Sequence, residues 1–76
     1  MNRIDLDFIR GFVKAELSYA VGDDYAEKIS ETDEFIEAVR EDLETSSAWY
    51  TEGSFNTDDL CMAIGRTILK ALGNPQ

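Results

Sequence analysis

Apolar residues recur at helical spacing along most of the chain, and in the first segment, at about residues 3–21, they predict a helix. They form two neighbouring ridges on that helix, Ile4, Phe8, Phe12, Ala15 and Tyr19 on one, and Leu6, Ile9, Val13, Leu17 and Ala20 on the other. Asn2 is expected to cap the helix and Gly22 to end it. An apolar arc this wide predicts contact with neighbouring elements on two sides.

The last helix is predicted at about residues 57–72, after a staple residue and N-cap at Phe55 and Asn56 and before a stop at Gly73. Apolar side chains cover more than half of its circumference: Leu60, Cys61, Ile64, Ile68, Leu69, Ala71 and Leu72. The strip expected to face water is narrow: Asp59, Ala63, Arg66, Thr67 and Lys70. This pattern predicts a central helix, with Gly65 on its buried side to let another helix approach closely.

The middle helix, at about residues 33–46, has one conventional apolar stripe, formed by Phe35, Ile36, Val39 and Leu43. A further short helix is predicted at 24–29, with Tyr25 and Ile29 pointing inward. Residues 47–55 are expected to form a loop because Gly53 and several Ser and Thr residues interrupt the periodicity, with a short extended piece at 49–51.

These segments predict an all-α fold, a small bundle of three main helices with one extra short helix, in a single helical domain spanning residues 1–76. A chain of this length is near the lower limit for folding without disulfides or metals. Its single cysteine excludes an internal disulfide, and it has no apolar run of membrane-spanning length. We therefore expect a reducing, cytoplasmic setting and no membrane contact.

The net charge of −9 is concentrated in residues 23–44, which hold ten carboxylates against Lys28 and Arg40. A pI near 4.2 disfavours direct binding to nucleic acid or anionic lipid, because phosphate contacts need Lys and Arg. If the charge has a partner, that partner is a basic protein surface.

On the middle helix, five carboxylates fall within about 100° of arc, opposite the apolar stripe: Asp33, Glu34, Glu37, Glu41 and Glu44. Two interpretations are chiefly open, a solvated face that confers solubility and a charged row that binds a basic protein, such as a nucleic-acid-binding protein. Metal binding is a third and less favoured one. Trp49 and Tyr50 follow on the loop, where each would be either an apolar anchor for that partner or a lid over the core.

No catalytic, cofactor or metal site is expected from the residues. The chain has no histidine, and Cys61 is predicted to be a buried, inert thiol. Glu16, between the two apolar ridges, is expected to pair with Arg66 or Lys70 rather than to act as an acid. Neither a calcium loop nor a Cys/His cluster for zinc is present in the sequence.

Two functions fit this sequence. The first is a non-catalytic acidic binding protein; very small acidic helical proteins are frequent among phage and mobile-element products that inhibit host nucleic-acid enzymes, and this analogy makes inhibition one hypothesis. The second is a small homodimeric structural or adaptor module, because two helices with such wide apolar arcs would leave an exposed patch on a monomer.

Overall fold

The fold is all-α, as predicted, in a computed structural model that describes residues 3–46 and 49–73, without the side chains of Tyr50 and Thr51. No strand occurs in these residues. They form three main helices, a helix of two turns and a single helical turn: α1 (Leu6–Val21), α2 (Asp23–Ser30), α3 (Asp33–Ser46), α4 (Trp49–Glu52) and α5 (Thr57–Ala71). The short helix expected at 24–29 is confirmed as α2.

Helix α1 begins three residues later than predicted because Asp5 is its N-cap, accepting a hydrogen bond from the Phe8 backbone N–H at 3.0 Å. The expected cap, Asn2, lies outside the described residues. Ile4 precedes the helix and is almost fully buried, and with Ile9 it occupies the two positions of a hydrophobic staple. Because α1 begins at Leu6, Ile4 is not part of a helix face, contrary to prediction, but belongs to the core.

The centre of the bundle is α3, which packs against all four other helices, whereas α5 packs chiefly against α3 and only slightly against α1. The predicted central position of the last helix is therefore wrong. Its wide apolar arc was the reason for that prediction, and part of this arc is left uncovered in the structure.

The buried face of α5 is rotated from the predicted one. Ala63 and Thr67, expected to face water, are buried, while Cys61, Gly65 and Leu69, expected inside, are exposed. Two small side chains let α5 lie close to α3, since the distance between packed helices depends on the residues at the contact. Large apolar side chains consequently remain on the outer side of α5.

Only one of the two ridges of α1 is buried. Ile9, Val13 and Leu17 belong to the core, but Phe8, Phe12, Ala15 and Tyr19 of the other ridge are exposed, as is Ala20. Helix α1 contacts α2, α3 and, slightly, α5, and the Phe12 ring lies 6.1 Å from that of Phe55. The contact on two sides that the wide arc predicts is therefore made only in part, because most of the second ridge stays exposed in the described residues. On α2, Ile29 packs against the core as expected, and Tyr25 is exposed instead of pointing inward.

The segment expected to be a loop contains one helical turn, α4, where a short extended piece was predicted at 49–51. The turn is closed by a hydrogen bond from the Gly53 N–H to the Trp49 carbonyl at 2.9 Å, and Gly53 then reverses the chain with a φ of +70°. Asn56 caps α5 as predicted, in a reciprocal capping box with Asp59. The turn delivers Trp49 to the edge of the core.

Candidate partner-binding surfaces

The predicted acidic row on α3 is divided by the fold into paired and unpaired carboxylates. Asp33 accepts a hydrogen bond from Arg10 Nη2 at 2.8 Å, and Arg10 also donates to the Ser30 carbonyl at 2.7 Å. This arginine therefore ties α1 to the junction between α2 and α3, and Asp33 is part of that joint.

Glu44 is also held by the fold. Its carboxylate accepts the backbone N–H of Ile4 at 2.7 Å and lies 3.4 Å from Arg3 Nε, and its side chain is only 13% exposed. It fixes the segment before α1 against the end of α3. Two of the five predicted binding residues thus have structural contacts that account for their charge.

The remaining three, Glu34, Glu37 and Glu41, are exposed, and their carboxylates make no hydrogen bond or ion pair within residues 3–46 and 49–73. We call them the acidic row. At a rise of about 1.5 Å per residue they extend over about 10 Å, roughly one charge per 5 Å, compared with about one per 3.4 Å along a DNA strand. The row is therefore shorter than predicted and less dense than nucleic acid.

Two arginines border the acidic row without neutralising it by direct contact. Arg3 points to Glu44, and Arg40 Nη1 donates to the Ile4 carbonyl at 3.4 Å. Arg40 Nε is buried and has no hydrogen-bond partner in the described residues. Both guanidinium groups line the same shallow depression as the row and make its local electrostatic potential less negative.

Beside the acidic row, a groove runs between α3 and α5. Glu34 and Glu41 lie on one side, Phe35 and Ala38 form an apolar floor, and Lys70 lies on the α5 side. Charged and apolar side chains therefore adjoin one another here, as they do in protein-binding sites that combine steering with desolvated contact.

Trp49, one of the two predicted aromatic anchors, does not line this groove. Trp49 is half-buried and packs against the core, with its ring 6.3 Å from Phe55, and it lines a different groove together with Phe8 and Phe12. The interpretation of Trp49 as a lid over the core fits this position. The side chain of Tyr50 lies outside the described part of the structure.

Charge pairing also differs from expectation at Glu16. Arg66, one of its two expected partners, instead binds Asp42 of α3 through several hydrogen bonds, including Nε to the two carboxylate oxygens at 3.0 and 3.1 Å. This pair raises the pKa of Arg66, because Asp42 accepts hydrogen bonds from the charged guanidinium. It also fixes the rotation of α5 against α3, so Ala63 and Thr67 face inward.

Glu16 contacts Cys61 instead, and the Cys61 thiol donates to its carboxylate at 3.3 Å. That hydrogen bond, together with partial desolvation and the negative charges of Glu16 and Asp58, raises the pKa of the thiol. Cys61 is exposed, contrary to prediction, but a raised pKa disfavours the thiolate that nucleophilic or metal-binding chemistry needs. The contact joins α1 and α5 at their outer edges.

No three or more Cys, Asp or Glu side chains within the described ranges are grouped so that they could hold a metal ion. In the same residues, none of the helices has the length and apolar character required to cross a membrane. Comparison with protein-family models, with curated proteins and with solved structures finds no match to this chain.

One surface was not proposed as a site from the sequence. Large apolar side chains are exposed on the outer sides of α1 and α5, which meet at the contact between Glu16 and Cys61. We call them the α1–α5 surface: Phe8, Phe12 and Tyr19 of α1, and Met62, Leu69 and Leu72 at and beyond α5. The wide apolar arcs gave the signal that an exposed patch would exist, but the rotation of α5 decided which residues form it.

Proposed function

We propose that this protein is a non-catalytic binding protein that presents α3 to a basic protein surface, such as that of a nucleic-acid-binding protein. The observation that carries this proposal is the acidic row: Glu34, Glu37 and Glu41 are unpaired, while Asp33, Asp42 and Glu44 of the same helix contact arginines. None of the four arginines contacts a carboxylate of the row, although Arg3 and Arg40 line the same depression. Like-charged neighbours at these spacings cost helix stability, and a basic partner would offset that cost.

The adjoining groove supplies the apolar contact that the sequence assigned to Trp49 and Tyr50. A partner whose Lys or Arg side chains lie on Glu34 and Glu41 could insert an apolar side chain between α3 and α5, against Phe35 and Ala38. In such an arrangement the carboxylates raise the association rate and select a basic partner, and the apolar contact slows dissociation. Binding of this kind would block a basic groove without any chemical step.

The test is affinity capture from the native host with the wild-type chain and a triple variant in which Glu34, Glu37 and Glu41 are changed to Gln. The matched control makes the same change to Gln at three exposed carboxylates elsewhere, Glu27, Glu31 and Glu52, which have no hydrogen bond or ion pair within the described residues. Both variants therefore go from −9 to −6. Each bait is used at low and high salt, because screening weakens contacts between exposed charges.

We expect the wild type and the control to capture the same basic protein at low salt and to lose it at high salt, and the row variant to fail at both. Removing like-charge repulsion should leave the row variant at least as stable as wild type, which circular dichroism can verify. Equal capture by the two variants would show that the acidic row is only a solvated face.

A further inference from the structure

We infer that the α1–α5 surface is the interface of a symmetric homodimer, with a second copy of this chain as its occupant. This inference concerns a surface and a partner other than those of the proposed function and does not rest on it. It follows from the apolar area exposed, from the distribution of charge and from the position of Gly65.

The exposed apolar area matches what a stable dimer needs. Phe8, Phe12 and Tyr19 are 52%, 45% and 91% exposed, and at about 200 Å² for an aromatic side chain they present roughly 400 Å². Met62, Leu69 and Leu72 are 58%, 67% and 76% exposed and add a comparable amount. A standard interface covers about 800 Å² per partner, of which little more than half is apolar, so these six side chains are sufficient.

The charge distribution favours a second copy. Residues 60–73 contain no carboxylate, although the whole chain has sixteen acids. Of the two bases in that stretch, Arg66 binds Asp42 of α3, and Lys70 lies at the edge of this surface, where it lines both the groove toward α3 and a depression beside Leu69 and Leu72. Two chains of charge −9 repel one another wherever carboxylates face each other. The α5 half of this surface carries none, and on the α1 half Glu16 accepts a hydrogen bond from Cys61, so a contact centred on α5 brings fewer carboxylates together than a contact through residues 23–44 would.

Gly65 lies among the exposed residues of α5, between Cys61 and Leu69. A glycine inside a helix costs about 1 kcal/mol relative to alanine. Apart from its chain neighbours and the backbone of its own helix, no atom of the described residues lies within 4 Å of the position that its Cβ would occupy. Packing inside the monomer therefore gives no reason for a glycine there. In the dimer, α5 of one copy crosses α5 of the other near Gly65, where the absent side chain lets the two backbones approach. Because a twofold interface pairs identical patches, each copy contributes the same residues.

The experiment is sedimentation equilibrium of the full chain, from low micromolar to near-millimolar concentration, with two interface variants and a matched control. The first interface variant, Leu69→Lys, places a cation in the interface. The control, Tyr25→Lys, makes the same change in net charge on α2. The two positions are equally exposed, at 67% for Leu69 and 66% for Tyr25. Both substitutions reduce the net charge from −9 to −8, so general repulsion falls in both. The second interface variant, Gly65→Gln, fills the space in which the two backbones would approach each other. Because Gln has a higher helix propensity than Gly, a loss of folding cannot explain weaker dimerisation of this variant.

We expect the wild type and Tyr25→Lys to dimerise, and the dissociation constant to rise at least roughly tenfold in Leu69→Lys and in Gly65→Gln. Raising the salt concentration should tighten the dimer, because it screens the repulsion between acidic chains, whereas it should weaken capture of a basic partner by the acidic row. The two proposals can therefore fail separately. A wild-type chain that stays monomeric over the whole range, or interface variants that dimerise like wild type, would overturn the inference.

Discussion

Helices α3 and α5 have similar lengths and pack against each other, yet their sequences specify their orientation to different degrees. In α3 the apolar stripe formed by Ile36, Val39 and Leu43 is buried as its pattern indicates, because charged residues occupy the opposite side. In α5 apolar residues lie almost all round, and a pattern of that kind does not mark one face. A periodic sequence fixes the buried face only when polar residues exclude the alternatives.

What decides the orientation of α5 is side-chain size and one ion pair. Ala63 and Thr67 are small enough for close contact with α3, and Arg66 beside them reaches Asp42. Hydrophobicity alone ranks Leu69 and Cys61 above Thr67 as candidates for burial. Leu69 and Cys61 are nevertheless exposed, whereas Thr67 is buried.

The prediction with the largest expected effect tests this difference by changing one leucine to alanine on each helix. Leu43→Ala removes a fully buried side chain of α3 and should lower the free energy of unfolding by about 2–5 kcal/mol. Leu69→Ala removes an exposed side chain of α5 and should change it by less than about 0.5 kcal/mol. Urea unfolding, at a concentration where sedimentation shows the chain to be monomeric, provides the measurement. A loss at Leu69 comparable to that at Leu43 would mean that the predicted face of α5 is buried after all.

The fold class and most helix boundaries could be predicted from the sequence because local signals set them. Asn56 and Gly73 bound α5 through capping and left-handed backbone, and the range of α3 matches the prediction. The start of α1 was missed because Asn2 and Asp5 are both good caps, and only the burial of Ile4 makes Asp5 the better one.

The candidate sites were predicted less well because they depend on contacts between distant residues. The composition of α3 indicated a five-carboxylate row, but its reduction to three follows from Arg10 and from the path of the chain before α1. Nothing local indicates that Arg3 and Ile4 reach Glu44, forty residues away. Periodicity indicated an exposed patch, and the tertiary structure supplied its residues.

A prediction of intermediate size compares a paired with an unpaired carboxylate of α3 by the loss in free energy of unfolding when each is removed. Glu44→Ala leaves the Ile4 N–H without its acceptor and should cost about 1–2 kcal/mol, while Glu41→Ala should stay within about 0.5 kcal/mol. The two substitutions make the same change in charge and helix propensity on one helix, so each controls for the other. Equal losses in thermal or urea unfolding would show that the division of the row into structural and free carboxylates is wrong.

The prediction with the smallest expected effect concerns the contact between Glu16 of α1 and Cys61 of α5. The substitutions should leave the free energy of unfolding nearly unchanged. The pKa of Cys61 is raised chiefly because its thiol donates to Glu16. Glu16→Gln removes the charge that disfavours the thiolate, so the pKa should fall and the pH profile of alkylation by iodoacetamide should move to lower pH. Asp58→Asn removes a charge that acts on Cys61 more weakly and should move the profile less.

These rates are measured at low micromolar concentration, so that a second copy does not shield the thiol, and circular dichroism verifies that each variant is folded. A profile that is unchanged in Glu16→Gln would mean that Cys61 and Glu16 do not touch. A larger shift in Asp58→Asn would mean that the charge at the start of α5, rather than α1, controls the thiol. An unchanged profile in Glu16→Gln would also separate the exposed faces of α1 and α5, which the proposed homodimer uses as one surface.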